Sequence, residues 1–208
     1  MKIHKTIYLS SFFALGLLAI SVYLVISYPG AGLSGIRCMS PLRDNADYTA
    51  TDLDGHSFDA QTLFAKPTLL FFGFTYCPEV CPTTLADISR WLDQLGKDSD
   101  KLQVLFVTID PERDTPPQLK NYLSSFDKRI KGLILAPCDL AVMTKQYNVP
   151  YVKVDLGKDD YTFDHGASIF LLRPGGQMVE TLNYEEGDDI AVKKLRLLLN
   201  RSKIDRTN

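Results

Sequence analysis

Apolar positions after residue 47 recur with the periods of strands and helices. Residues 67–74 and 102–109 are short apolar runs of the kind expected for buried strands. Between them, apolar residues recur at the spacing of one helical face, and Gly96 is expected to end that helix. This face consists of Leu85, Ile88, Trp91, Leu92 and Leu95. The pattern predicts a strand, a helix and a second strand at the start of a folded domain.

The rest of the chain continues this alternation. Asp54 and Gly55 have the sequence of a tight hairpin turn, and residues 173–176 are expected to connect a second hairpin. The remaining strands are predicted at 48–53, 56–58, 130–135, 168–172 and 177–182, and the remaining helices at 116–126, 140–147 and 188–199. This order predicts an α/β domain with a thioredoxin-like fold over residues 48–208. The polar residues 153–160 are expected to form a mobile loop within it.

A long apolar segment lies near the N-terminus. Residues 7–28 carry no charge, and at about 1.5 Å per residue a helix of this length crosses the hydrocarbon core of a membrane. Lys2 and Lys5 precede the segment, so residues 1–28 are expected to form a cytoplasmic N-terminus and a transmembrane anchor. A cleaved signal peptide is the competing interpretation, although its apolar stretch would be shorter. Residues 29–47 are then a tether, and the soluble domain is expected in the periplasm, on a single-pass anchor in a bacterial inner membrane.

Composition narrows the function classes. The 208-residue chain has a formal net charge of -2 with both signs mixed, so no nucleic-acid partner is expected. Its four cysteines are too few for a disulfide scaffold. Cys38 lies in the tether, where an inert, lipid-modified or disulfide-bonded cysteine are all compatible with the sequence. Cys138 is expected to be a buried, inert thiol.

Cys77 and Cys81 form a C-x3-C pair between the first buried strand and its helix. A sulfur near a helix N-terminus feels the positive end of the helix dipole, which favours its thiolate. Cys77 and Cys81 are therefore a candidate redox pair, although thioredoxin chemistry uses C-x2-C. Beyond this pair, no catalytic residue is assigned. Two thiolates can also bind a soft metal such as Cu(I), zinc or the iron of an iron–sulfur cluster.

A third ligand would have to come from the three histidines. His4 precedes the apolar segment, and His56 follows a turn, where a surface role is expected. His165 stands ahead of the predicted strand 168–172, which in a thioredoxin-like sheet begins beside the cysteine turn. Its spacing leaves two interpretations: a metal ligand or a hydrogen-bonded surface residue.

Three segments, in this order, resemble the motifs of the Sco/SenC family of copper-binding assembly factors. They are FFGFTYCPEVCP at 71–82, FVTIDPERDT at 106–115, and the Asp164–His165 pair ahead of a strand. The resemblance covers about residues 47–200 and implies that Cys77, Cys81 and His165 bind a copper ion. Cu(I) suits these three ligands, and Cu(II) would suit them with a fourth.

The resemblance also implies a role. It predicts a membrane-anchored copper chaperone that delivers copper to the binuclear site of cytochrome c oxidase subunit II. The soluble domain of that subunit would be the partner, and other periplasmic copper chaperones are further candidates.

Several residues near the expected ligands are candidates for supporting them. Asp164 is expected either to orient His165 by a hydrogen bond or to have a turn or strand-edge role. Asp110 ends a strand near the site, and residues 112–114 are expected to form a solvated or locally paired loop that supports the site or meets a partner. Gly166 stands where bacterial relatives often carry serine, a change expected to loosen the loop without removing a ligand.

Two other functions would use the same residues. A thiol–disulfide oxidoreductase would cycle Cys77 and Cys81 and keep the oxidase cysteines reduced, whereas a copper or redox sensor would bind copper without delivering it. A peroxiredoxin-type peroxidase is disfavoured because its P-x3-[ST]-x2-C arrangement is missing. His165 separates the first two hypotheses, since a copper site requires this side chain and a disulfide exchanger does not.

Overall fold

The computed structural model describes residues 48–204, with side chains up to residue 202. The expected anchor at 7–28, the tether at 29–47 and Cys38 lie outside this range. Within residues 48–204, no helix has both the length and the apolar character that a membrane crossing requires. The membrane topology therefore remains a prediction from the sequence.

The described residues form one mixed sheet flanked by helices, and a separate hairpin. The seven-stranded sheet has the order β2-β1-β5-β4-β3-β8-β9, and β6 pairs only with β7. The strands are β1 (Thr49–Asp52), β2 (Ser57–Asp59), β3 (Thr68–Gly73), β4 (Gln103–Thr108), β5 (Ile130–Leu135), β6 (Tyr151–Gly157), β7 (Asp160–His165), β8 (Ile169–Leu172) and β9 (Met178–Leu182). The helices are α1 (Ala60–Leu63), α2 (Val80–Leu95), α3 (Pro116–Leu123), α4 (Pro137–Gln146) and α5 (Asp188–Ile204). The predicted thioredoxin-like α/β order is confirmed.

Strand β3 is buried along its whole length because both faces of the sheet are covered. It pairs in parallel with β4 and antiparallel with β8. Leu69 and Phe71 pack into the core shared with α2 and α5, whereas Leu70 and Phe72 pack into the core shared with α1 and α4. This alternation explains why the segment reads as a continuous apolar run.

The chain leaves β3 at Gly73 and enters α2 at Val80, so the connecting loop emerges at the carboxyl end of a central strand. This is where open α/β sheets place their sites. Gly73 allows a close approach there, since a Cβ atom at this position would lie 2.8 Å from the Sγ atom of Cys81. The predicted strand–turn–helix setting of Cys77 is confirmed.

Residues 153–160, expected to form a mobile loop, belong instead to the antiparallel hairpin of β6 and β7. That prediction was wrong. Val152, Val154 and Leu156 alternate with polar residues, which is the pattern of a strand. Acidic and basic residues dominate the rest of the segment, so its composition is typical of a loop. In the structure the three apolar side chains remain exposed.

Cys138 is the second residue of α4 and is half-buried. It is disulfide-bonded, so the expectation of a buried, inert thiol was wrong. A sulfur that is not fully covered by the core is open to pairing. Cys77 and Cys81 are both free thiols.

Candidate metal centre

Cys77 lies in the β3–α2 loop, where its sulfur accepts a hydrogen bond from the first turn of α2. The backbone N–H of Cys81 donates to Cys77 Sγ at 3.4 Å. The pKa of Cys77 is lowered to about 4, chiefly because the Cys81 thiol donates to its sulfur. Hydrogen bonds from the backbone of Cys81 and Glu79 act in the same direction, and burial opposes them. A half-buried thiolate at neutral pH is a strong metal ligand and nucleophile.

Cys81 has the opposite environment. It is fully buried in the first turn of α2, at 0% exposure, within the core cluster below the loop. The pKa of Cys81 is raised because its thiol donates to Cys77 and because burial disfavours a second thiolate beside the first. The pair therefore holds one proton on the inner sulfur and presents the outer one as an anion.

His165 is the last residue of β7, and its imidazole faces the sulfur pair. Nε2 lies 3.8 Å from Cys81 Sγ, and Nδ1 lies 2.9 Å from the carbonyl oxygen of Gly166. A carbonyl oxygen only accepts, so Nδ1 carries the hydrogen, and in the neutral ring the Nε2 lone pair is available to a metal. The ring also packs edge-on against Phe74, with centroids 5.6 Å apart.

The structure thus brings together the three side chains that the sequence singled out. The two sulfurs and a ring nitrogen of His165 all lie within 4.8 Å of one another. Metal–sulfur bonds of about 2.3 Å and metal–nitrogen bonds of about 2.0 Å put donors around one ion roughly 3.5–4 Å apart. The described donors need only a small closure to share an ion, and their softness fits Cu(I).

A buried carboxylate fixes the loop that carries Cys77. Asp114 is 0% exposed and accepts hydrogen bonds from the Thr75 backbone N–H at 3.1 Å, the Thr75 hydroxyl at 2.5 Å and the Thr108 hydroxyl at 2.5 Å. Burial raises the pKa of Asp114, and the three donors oppose that effect. Of the two alternatives expected for residues 112–114, a solvated or a locally paired loop, the solvated one does not hold for Asp114. A loop has no regular spacing of apolar residues, so the sequence does not show which of its residues are buried.

Asp110 supports the site through other residues and does not contact the three candidate ligands. It is 1% exposed, and its carboxylate binds the Arg113 guanidinium at 2.5 Å and the Tyr161 hydroxyl at 2.8 Å. Tyr161 was not singled out from the sequence. Tyr161 lies four residues before His165 on the same strand, so the two side chains share one face. That spacing is the sequence signal that could have identified it.

Asp164 lies on the exposed face of β7, because successive residues of a strand point to opposite faces. The described hydrogen-bond partner of His165 Nδ1 is Gly166, and Asp164 is paired across the hairpin with Val152. Of its two predicted roles, the geometry favours the strand-edge one. Gly166 also donates its N–H to the Pro150 carbonyl at 3.0 Å, which ties down the ligand loop.

Fold and site together define a class: a thioredoxin-fold protein with two cysteines and one histidine arranged for a metal ion. The SCO1/SenC family model matches residues 40–200. The chain belongs to the SCO1/SenC family.

Similar proteins agree with this assignment. Protein SCO2 of Saccharomyces cerevisiae is 35% identical over 155 residues, which is 72% of this chain and 50% of the relative. The chain thus spans half the length of this yeast relative. The structure of Bradyrhizobium japonicum ScoI with copper bound has 42% identity and a TM-score of 0.67, covering 73% of this chain and 96% of that one. The crystal structure of yeast Sco1 with copper bound has 33% identity and a TM-score of 0.68, and the match covers 74% of this chain and 86% of that one.

Proposed function

We propose that this protein is a copper chaperone that binds copper through Cys77, Cys81 and His165. The convergence of two sulfurs and one imidazole within 4.8 Å carries the proposal. A site of three soft donors suits Cu(I), and a fourth oxygen ligand would allow Cu(II) to be held as well. Two solved structures of relatives are described as copper-bound, which supports copper as the ion.

The proposed client is the binuclear copper site of cytochrome c oxidase subunit II. A three-coordinate ion can be attacked by an incoming thiolate, which forms a new copper–sulfur bond as one to this protein breaks. Cys77 is half-buried at the surface, so an acceptor cysteine could reach the metal from that side. The proposal includes a membrane anchor at residues 7–28 and a periplasmic location for the soluble domain, both of which follow from the sequence.

The ligand set is tested by Cu(I) titration of the reduced protein against a chromophoric chelator. We expect one bound Cu(I) per chain and a loss of affinity greater than about 100-fold in His165→Ala. Removing a residue that only hydrogen-bonds to a metal ligand already lowers metal affinity by about 10- to 100-fold. His56→Ala is the matched control, because His56 is exposed and bonds Asp52 away from the cysteine pair. Equal affinities of the two variants would contradict the proposal.

A thiol–disulfide oxidoreductase is the second candidate function, favoured by the lowered pKa of Cys77 to about 4. The Cys77 thiolate would attack a client disulfide, and Cys81 would resolve the mixed disulfide. Two electrons would pass to the client's cysteines as Cys77 and Cys81 become a disulfide, and the proton of Cys81 together with one from solvent would complete the two client thiols. His165→Ala separates the functions: we expect it to lose tight Cu(I) binding and to retain disulfide reduction.

A further inference from the structure

The hairpin that carries His165 is not part of the main sheet. Strands β6 and β7 pair only with each other, whereas the loop carrying Cys77 and the helix carrying Cys81 extend from β3 of the seven-stranded sheet. No backbone ladder therefore sets the distance between His165 and the two sulfurs among the described residues. Residues 166–168 join His165 to β8, which pairs with β3, and side-chain contacts between the hairpin and the main domain set the rest.

Arg113 contacts both ligand-bearing segments. Its guanidinium carbon lies 4.5 Å from the ring centroid of Tyr76, the residue before Cys77, and 3.6 Å from that of Tyr161 on the strand of His165. Arg113 Nη1 also donates to the backbone carbonyl of Tyr161 at 2.8 Å. One planar cation thus joins the cysteine loop to the histidine strand by stacking and by a hydrogen bond.

Asp110 fixes the contact between Arg113 and Tyr161 relative to the main domain. The carboxylate of Asp110, which is 1% exposed, binds Arg113 Nε at 2.5 Å and the Tyr161 hydroxyl at 2.8 Å. The side chain of Arg113 is itself only 18% exposed, so water competes little for these bonds. Lys153 adds a second cation 3.6 Å from the Tyr161 ring centroid, on the partner strand of the hairpin.

A series of ring contacts connects Tyr161 to His165. The two residues lie four apart on β7, so their side chains share one face of the hairpin. Phe163 lies between them on that face, packed at 5.7 Å against Tyr161 and at 5.5 Å against Phe74. Phe74 in turn packs against the His165 ring at 5.6 Å.

We propose that Arg113 is a positioning residue for the metal site, which acts through Tyr161 to hold the imidazole of His165 against the sulfur pair. The inference rests on the proposed copper site and adds how its third ligand is kept in place. Without Arg113 the cysteine pair would remain intact, and the hairpin would spend more of its time with His165 out of reach. Copper would then be bound more weakly and released faster.

A double-mutant cycle on the full chain tests this inference. Cu(I) affinity is measured by chelator competition for the wild type, Arg113→Gln, His165→Ala and the double variant, and each protein is checked for folding by thermal unfolding. We expect Arg113→Gln to lower the affinity by about 10-fold when His165 is present. In the His165→Ala background the same change should alter affinity by less than about twofold, because the side chain it positions is gone.

Two further variants keep the test informative. Tyr161→Leu removes the ring that Arg113 stacks on but leaves the Arg113–Asp110 pair, so it should show the same dependence on His165 even if Arg113→Gln folds poorly. Arg129→Gln is the matched control, because Arg129 also pairs with a nearby aspartate, Asp127, but touches none of the site residues. It should leave Cu(I) affinity unchanged in both backgrounds.

The outcomes separate the inference from the function it rests on. An equal loss in both backgrounds would mean that Arg113 acts on the fold in general, and no loss in either would mean that it does not act on the site; each overturns the inference and leaves the copper site standing. If His165→Ala binds Cu(I) as tightly as the wild type, the ligand assignment fails, and the positioning role fails with it.

Discussion

At the residue scale, the two cysteines have unequal roles that their common motif does not reveal. Cys77 accepts a hydrogen bond from the helix N-terminus and is half-buried, whereas Cys81 is fully buried in the core. The pKa of Cys77 is lowered to about 4 and that of Cys81 is raised, both because the inner thiol donates to the outer sulfur. Cys77 is therefore the sulfur that incoming reagents and partners meet first.

This asymmetry predicts selective alkylation of the reduced, metal-free protein. Iodoacetamide should modify Cys77 and spare Cys81, as read by peptide mass mapping. Because the pKa of Cys77 is about 4, its thiolate persists above that pH, and the rate should stay flat from pH 8 to about pH 5 and then fall. An ordinary cysteine, with a pKa of about 8.5, would lose about tenfold in rate for each pH unit below 8.

The matching control is Cys81→Ser. It replaces the thiol donor with a hydroxyl, so Cys77 should still be modified with a flat profile. Modification of Cys81 at the rate of Cys77, or a rate that falls steadily from pH 8, would contradict the assigned asymmetry.

At the element scale, the loop after β4 holds both the cysteine loop and the histidine hairpin. Asp114 binds Thr75 two residues before Cys77, while Asp110 and Arg113 bind Tyr161 on β7. A loop with three acidic residues and one arginine is expected from the sequence to be solvated or locally paired. Its burial depends on which side chains of β3, β4 and β7 surround it, and no local pattern encodes that.

Asp114→Ala should therefore be more damaging than Asp114→Asn. Alanine leaves the buried Thr108 hydroxyl and the half-buried N–H and hydroxyl of Thr75 without their acceptor, and each unsatisfied buried donor costs about 1–3 kcal/mol. Asparagine keeps one acceptor oxygen at nearly the same position. We expect the free energy of unfolding, measured with urea, to fall by at least about 2 kcal/mol for alanine and by about half as much for asparagine. A larger loss for asparagine would contradict the assigned role of the carboxylate.

The strands and helices themselves were largely predictable. The helix that ends before Gly96, the strand at 130–135 and the hairpin across Asp54 and Gly55 follow from periodicity and turn residues, which are local properties. The β6–β7 hairpin was missed although its apolar and polar residues alternate, because the many acidic and basic residues of the segment are typical of a loop. Helix α1 has only four residues, too few to show a helical period.

At the scale of the whole molecule, the candidate ligands come from two sheets that are not hydrogen-bonded to each other. Cys77 and Cys81 belong to the loop and helix after β3, and His165 belongs to the β6–β7 hairpin. An ion bound by all three side chains would connect the hairpin to the main sheet. Metal loading should accordingly stabilise the hairpin more than any other part of the described domain.

Hydrogen exchange followed by mass spectrometry tests this expectation. Amides of residues 151–165 should exchange roughly 10- to 100-fold more slowly with Cu(I) at about 100 times its dissociation constant. The edge strand β9 is the internal reference, since it carries none of the three donors. His165→Ala should abolish the slowing, and slowing that persists in this variant would show that the imidazole is not the connection.

The sequence by itself determined the α/β order, the setting of C-x3-C between a strand and a helix, and the three candidate ligands. These follow from local periodicity, turn chemistry and motif resemblance, all of which are properties of short stretches of the sequence. Only the tertiary structure decided that Cys77 is the acidic sulfur, that Asp114 is buried, and that Arg113 joins the two ligand-bearing segments. Those properties arise from contacts between residues far apart in the chain, and distance, burial and pairing of this kind exist only after folding.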